Sequence, residues 1–141
     1  MPRIIAIDYG TKRCGIAVTD ELQLTALPLV TVPTRELIPW ITNYTNCNNV
    51  LELVIGYPYR VNAGDRSILQ EVDKFADVCK VQFPNIEIRL FDERFTSKIA
   101  LQSMISGGLK KSKRQDKALY DKTAACIILE DYLTYKSNCK R

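Results

Sequence analysis

The chain has 141 residues, 46% of them hydrophobic and 26% charged, with a net charge of +4 and no histidine. That length suits a single domain over residues 1–141, which on folding buries roughly two-thirds of the surface its unfolded chain exposes, and no apolar run approaches the ~20 residues that cross a bilayer. The missing histidine excludes Ser-His-Asp and Cys-His nucleophiles and histidine zinc ligands, while five cysteines (Cys14, Cys47, Cys79, Cys126, Cys139), odd in number and without C-x-x-C spacing, argue against a disulfide framework or a zinc knuckle.

The N-terminus lacks the long apolar stretch of a signal peptide and reads as a first strand, so a cytoplasmic protein with no membrane association is expected. Arg3 to Asp8 and Cys14 to Thr19 are short β-rich runs joined by the turn Tyr9-Gly10-Thr11-Lys12-Arg13, and Leu27 to Val32 supplies a third strand of an antiparallel meander. Thr34 is placed to cap a helix through about Tyr44, with Pro39 as an interior blemish. Leu51 to Ile55 is an almost wholly apolar strand ending at Gly56-Tyr57-Pro58, which suits cover on both faces. After an Asn62-Ala63-Gly64-Asp65 loop, Ile68, Leu69, Val72, Phe75, Ala76, Cys79 and Phe83 recur at helical spacing, and Pro84-Asn85 precedes a strand from Ile86 to Phe91. A third helix is predicted from Thr96 or Ser97 to Gly107-Gly108, then a basic loop from Leu109 to Lys117. Asp116 is a candidate cap for a last helix striped by Ala124, Ala125, Ile128, Leu129 and Tyr132, with Asp121 at its opening. This order describes an α/β domain with a mixed sheet, its strand-helix-strand unit parallel. The cysteines are expected to be mostly buried thiols in a reducing compartment.

Acidic residues fall at the ends of these elements. Asp8 closes the first strand, Asp92 and Glu93 close the strand from Ile86, and Asp121 stands on the last helix. If the strands ending at Asp8, Gly56 and Glu93 are parallel, their ends share the edge where open α/β sheets bind ligands, and the alanines after Asp121 let its helix come close. Three carboxylates gathered there would repel one another unless a cation neutralised them. Oxygen-only ligation suits Mg²⁺ or Mn²⁺, and two such ions about 4 Å apart would stabilise the attacking and leaving oxygens of a phosphodiester and generate hydroxide with no histidine base. Strand alternation leaves open whether Asp92 replaces or assists Glu93. Taken singly, each acid also fits a turn, a surface ion pair or a solvated position.

The runs Ile7-Asp8-Tyr9-Gly10-Thr11-Lys12-Arg13-Cys14-Gly15-Ile16-Ala17, Val54-Ile55-Gly56-Tyr57-Pro58, Asp92-Glu93-Arg94-Phe95-Thr96-Ser97 and Asp121-Lys122-Thr123-Ala124-Ala125 occur in the order and spacing of the YqgF/RuvX family, which the chain resembles over nearly its full length. The resemblance implies a ribonuclease H-like fold with a central mixed five-stranded sheet flanked by helices. It also implies a metal-dependent nuclease of the bacterial cytoplasm that matures the 5′ end of precursor 16S ribosomal RNA; members have also been described as Holliday junction resolvases. By position, Asp8 matches the family's first-strand acid, Glu93 the acid of its D-E-R motif and Asp121 that of its last helix, so these three are the implied catalytic and metal-binding residues. Where the family usually reads Gly-Leu-Pro-Leu-Asn, this chain has Gly56-Tyr57-Pro58-Tyr59-Arg60, in which Tyr59 and Arg60 are able to stack on a base or hold a phosphate.

The turn Asp8-Tyr9-Gly10-Thr11 also resembles the phosphate-cradling turn of actin- and sugar-kinase-like ATPases. In either setting Gly10 lets the backbone approach a phosphate while Thr11 and Lys12 supply donors. Those ATPases close two domains on their nucleotide, and 141 residues supply one. Residues 1–88 carry 8 Lys/Arg and 10 Asp/Glu, whereas residues 89–141 carry 12 and 6, so the positive field belongs to the C-terminal part. Lys110, Lys111, Lys113, Arg114 and Lys117 follow two glycines and suit a phosphate backbone read without sequence preference. Arg94 is a candidate clamp for the scissile phosphate, or a plain partner of Asp92. The expected partner is nucleic acid: structured precursor ribosomal RNA first, a four-way DNA junction second, with ribosomal assembly intermediates as further company. The chain is expected to be a monomer or weak homodimer, since no dimer signature is visible and a resolvase needs one. A catalytically silent RNA-binding assembly factor is the contrasting reading.

Overall fold

Alternating apolar residues and tight turns build five strands. In the computed structural model, which describes residues 2–57, 67–92 and 117–139, these are β1 (Arg3–Asp8), β2 (Arg13–Thr19), β3 (Ala26–Pro33), β4 (Val50–Tyr57) and β5 (Glu87–Asp92). They form one mixed sheet in the order β3-β2-β1-β4-β5. The first three make the expected meander, with Asp8 opposite Gly15. β4 runs parallel to both β1 and β5. Among the described residues the α-helices are α1 (Leu37–Cys47), α2 (Ser67–Gln82) and α3 (Lys117–Cys139).

Helices cover both faces, which is why β1 and β4 read as nearly unbroken apolar runs. Ile5, Ile7, Leu53 and Ile55 pack with Leu37 and Ile41 of α1 and with Val72, Phe75, Ala76 and Cys79 of α2. Ile4, Ala6, Ala17 and Val54 face the other way, onto Ala125, Ile128, Leu129 and Tyr132 of α3. Ile4, Ile5, Ala6 and Ile7 are all fully buried, so each isoleucine contributes the ~1.5–3 kcal/mol of a completely covered side chain. Among the described residues no helix is long and apolar enough to cross a membrane.

Several boundaries move for physical reasons. Thr34 does not cap a helix: Thr34–Glu36 forms a 3₁₀ turn, and the Thr34 hydroxyl donates to the Gly10 carbonyl at 2.7 Å. Its backbone N–H donates to the Lys12 carbonyl, so Thr34 ties down the β1–β2 turn instead. α1 consequently starts at Leu37, and Pro39 falls in its first turn, where a backbone N–H would have no helical partner anyway. α3 opens at Lys117, so Lys117 is helical rather than part of the basic loop, and Asp121 stands one turn inside the helix rather than at its opening. The helix expected from Thr96, the loop from Leu109 to Asp116 and the Asn62–Asp65 loop lie outside the described residues.

Cys14, Cys79 and Cys126 are buried thiols, as expected, whereas Cys47 is exposed at the end of α1. Burial pushes the Cys79 thiol up to about 12, and burial with the nearby Glu130 pushes Cys126 up to about 11. Since the thiolate is the reactive form, of these four only Cys47 is expected to label with a thiol reagent in native protein. Peptide mass spectrometry before and after denaturation checks this.

Candidate functional site

The parallel run of β1, β4 and β5 brings their carboxyl ends to one edge. Ile7 pairs with Ile55 and Tyr57 with Asp92, so Asp8 ends its strand beside Gly56, with the end of β5 one strand beyond. The pleat sets the face. Ile4 and Ala6 lie against the α3 side, and Asp8, two residues further on, belongs to that side by the same alternation. Asp8 is half-buried. Residue 121 stands in α3, the helix covering this face, one turn before the fully buried Ala124 and Ala125. Gly15 pairs with Asp8 and Ala17 is buried on this face, so small residues on both sides let helix and sheet approach closely.

The turn after Asp8 is held from below. A Cβ at position 10 would collide with the Arg13 carbonyl oxygen, so only glycine fits the present path. Thr34 engages the carbonyls of Gly10 and Lys12, and Cys14 Sγ lies 3.8 Å from the Gly10 oxygen. Thr11 and Lys12 stand exposed on this tethered turn. Gly10→Ala must displace backbone rather than a flexible side chain, and a loss of about 1–3 kcal/mol in stability is expected; thermal melting measures it.

α2 braces the same edge through two tyrosines. Tyr9 leans on Phe75, with ring centroids 5.3 Å apart, and its hydroxyl reaches Glu71 at 3.5 Å. Burial first, then the Glu71 charge, pushes the Tyr9 phenol up to about 12, so it stays a neutral donor. Tyr57 donates to Asp73 at 3.1 Å. The residue that departs from the usual family loop therefore has a structural partner in α2, while Pro58, Tyr59 and Arg60 lie outside the described residues.

One important group escaped the sequence reading. β4 is not simply apolar: Leu51 is exposed, and Glu52 is buried to 1% exposure beneath α3. Tyr132 Oη donates to Glu52 Oε1 at 2.5 Å, Lys136 Nζ pairs with Oε2, and Arg89 Nε of β5 donates to Oε1 at 3.0 Å. Burial pushes this carboxyl upward, but the hydrogen bonds from Lys136 and Tyr132 and the charges of Lys136 and Arg89 outweigh it and hold it below the usual carboxylate range. The signal was a lone acid in phase with Val54, together with a tyrosine and a lysine four residues apart on the last helix.

Of the residues singled out from the sequence, Asp8, Gly10, Thr11 and Lys12 share the carboxyl edge, and Asp121 has its backbone placed in α3. Glu93, Arg94, Lys110, Lys111, Lys113 and Arg114 lie outside the described residues. Among the described residues no three Asp, Glu or Cys side chains gather as a metal-binding group.

A five-stranded mixed sheet of order β3-β2-β1-β4-β5 with helices on both faces and an acid ending the central strand is a ribonuclease H-like fold. A solved structure with the same fold is RuvC of T. thermophilus in complex with a Holliday junction substrate, with a TM-score of 0.59, 12% identity, and coverage of 97% of this chain and 96% of that one. Residues 2–135 match the RuvX family, described as Holliday junction resolvase, and the chain belongs to that family. Relatives named "Putative pre-16S rRNA nuclease" include one from Flavobacterium psychrophilum, 46% identical over 136 residues and covering 96% of this chain and 99% of its own length. Another, from Christiangramia forsetii, is 47% identical over 133 residues, covering 94% and 98%.

Proposed function

We propose that this protein is a nuclease that hydrolyses phosphodiester bonds of structured nucleic acid in the cytoplasm, with the 5′ leader of precursor 16S ribosomal RNA as its substrate. The observation that carries the reading is the full-length match to relatives named for that activity. Asp8 at the carboxyl end of the central strand supplies the chemistry at the expected edge. A four-way DNA junction is the second reading, favoured by the description of the family.

Asp8, Glu93 and Asp121 are the residues that would hold Mg²⁺ or Mn²⁺. The donor set fits such an ion, because it offers carboxylate oxygens only and the chain has no histidine. When bound, the ion lowers the pKa of water and offsets charge on the leaving oxygen. The chain's own residues do the rest. Thr11 and Lys12, on a turn held from beneath by Thr34, offer a hydroxyl and a cation to a phosphate. Arg94 clamps the scissile phosphate, and Lys110, Lys111, Lys113 and Arg114 follow the flanking backbone, so binding falls steeply with salt.

The test is cleavage of an end-labelled 16S precursor leader, with and without Mg²⁺, beside a four-way DNA junction. Cutting of the RNA alone is expected. Cutting of the junction alone moves the function to DNA, and salt-sensitive RNA binding without cleavage at any Mg²⁺ concentration favours a silent assembly factor.

A further inference from the structure

The sheet-facing stripe of α3 includes Ala124, Ala125, Ile128 and Leu129, all fully buried, with Cys126 and Tyr132 buried in the same cluster. Alanines form low ridges and hydrophobic burial has no preferred direction, so such a face constrains the helix's place along its own axis less than charged contacts do. One directional contact lies within it, the Cys126 thiol donating weakly to the Ala26 carbonyl of β3 at 3.4 Å; the charged contacts lie further along. Tyr132 and Lys136, about one turn apart, both bind the Glu52 carboxylate of β4, and Arg89 closes on it from β5. A buried carboxylate is a costly fastening, since well-packed apolar residues of similar volume are often as stabilising. What it adds is a defined position. Residue 121 lies eleven positions before Tyr132, about 16 Å along the axis and about 20° around it. A continuous helix transmits to residue 121 any slip permitted at Tyr132.

We propose that Glu52 is a positioning residue of the nuclease site: by pinning Tyr132 and Lys136 it sets where α3 sits on the sheet, and thereby where Asp121 stands relative to Asp8. This rests on Asp8 and Asp121 acting together on a divalent ion, as proposed above.

The experiment is Mn²⁺ binding to the 141-residue chain, followed by electron paramagnetic resonance without nucleic acid, for wild type, Asp8→Asn, Glu52→Gln, Tyr132→Phe and Val72→Ala. Val72 is buried under the opposite face, so its truncation lowers stability without touching α3's fastening. Glu52→Gln and Tyr132→Phe are expected to bind Mn²⁺ about tenfold more weakly than wild type and to lower kcat at saturating Mg²⁺ with KM unchanged. Val72→Ala is expected to bind as wild type despite its lower melting temperature. Tyr132→Phe retains the ring's packing against Phe91 and decides the matter should Glu52→Gln not fold. Wild-type affinity in the folded clamp variants, or equal weakening in Val72→Ala, overturns the positioning role while leaving the site intact. Equal Mn²⁺ binding by wild type and Asp8→Asn overturns the nuclease site itself.

Discussion

Asp8→Asn is expected to lower cleavage of the precursor leader by more than the ~100-fold that loss of a metal site's outer partner costs, with little change in melting temperature. The substitution keeps shape and volume but removes a full negative charge where a divalent cation is to be held. β1 itself is secured by Ile4, Ile5, Ala6 and Ile7, all fully buried, and by ladders to β2 and β4. Single-turnover cleavage at several Mg²⁺ concentrations, beside circular dichroism, makes the check. A folded variant that cuts at the wild-type rate removes Asp8 from the chemistry.

Glu52→Ala has the largest expected effect on stability. It strips the buried Tyr132 hydroxyl of its acceptor and leaves Lys136 and Arg89 without their shared counter-charge. Removing one member of a buried ion pair costs ~3–5 kcal/mol. Arg89 is about half exposed and Lys136 about a quarter, so both regain water, and a loss near the lower end, about 3 kcal/mol, is expected. For a chain of this length that is roughly a 10 °C fall in Tm.

The acid limb carries a second signature of the same group. Because the folded-state pKa of Glu52 lies below its unfolded value, its contribution to stability is complete above the unfolded carboxyl pKa, near ~4.3, and is lost as pH falls through the lower folded value. Glu52→Gln, which does not titrate, is expected to lose less stability than wild type over that acidic window. Urea melts at stepped pH values compare the slopes; identical acid limbs would show that the Glu52 charge is not what holds α3.

The part of the candidate site that the described residues hold was legible because its signals are local. The apolar run ending at Asp8, the Gly10 turn and β4 with its Gly56-Tyr57 exit each depend on residues a few positions apart, and the strand-helix-strand pattern points to the parallel pairing of β4 with β5, to whose common edge the structure adds β1. Thr34 was misread for a corresponding reason. A threonine before a helical run satisfies every local rule for a cap, and only the hairpin's return beside it reveals that its hydroxyl serves Gly10, twenty-four residues earlier.

The amino-acid sequence by itself therefore determined the order and kind of the described elements and the family to which the chain belongs, since periodicity, turn chemistry and motif spacing are properties of neighbouring residues, while the β1–β4 pairing that brings Asp8 to the common edge came from the tertiary structure. The tertiary structure alone decided what Glu52 does. A single acid in an apolar strand is a defect until Tyr132 and Lys136, some eighty residues later, arrive above it and supply the hydrogen bonds that let its charge remain buried.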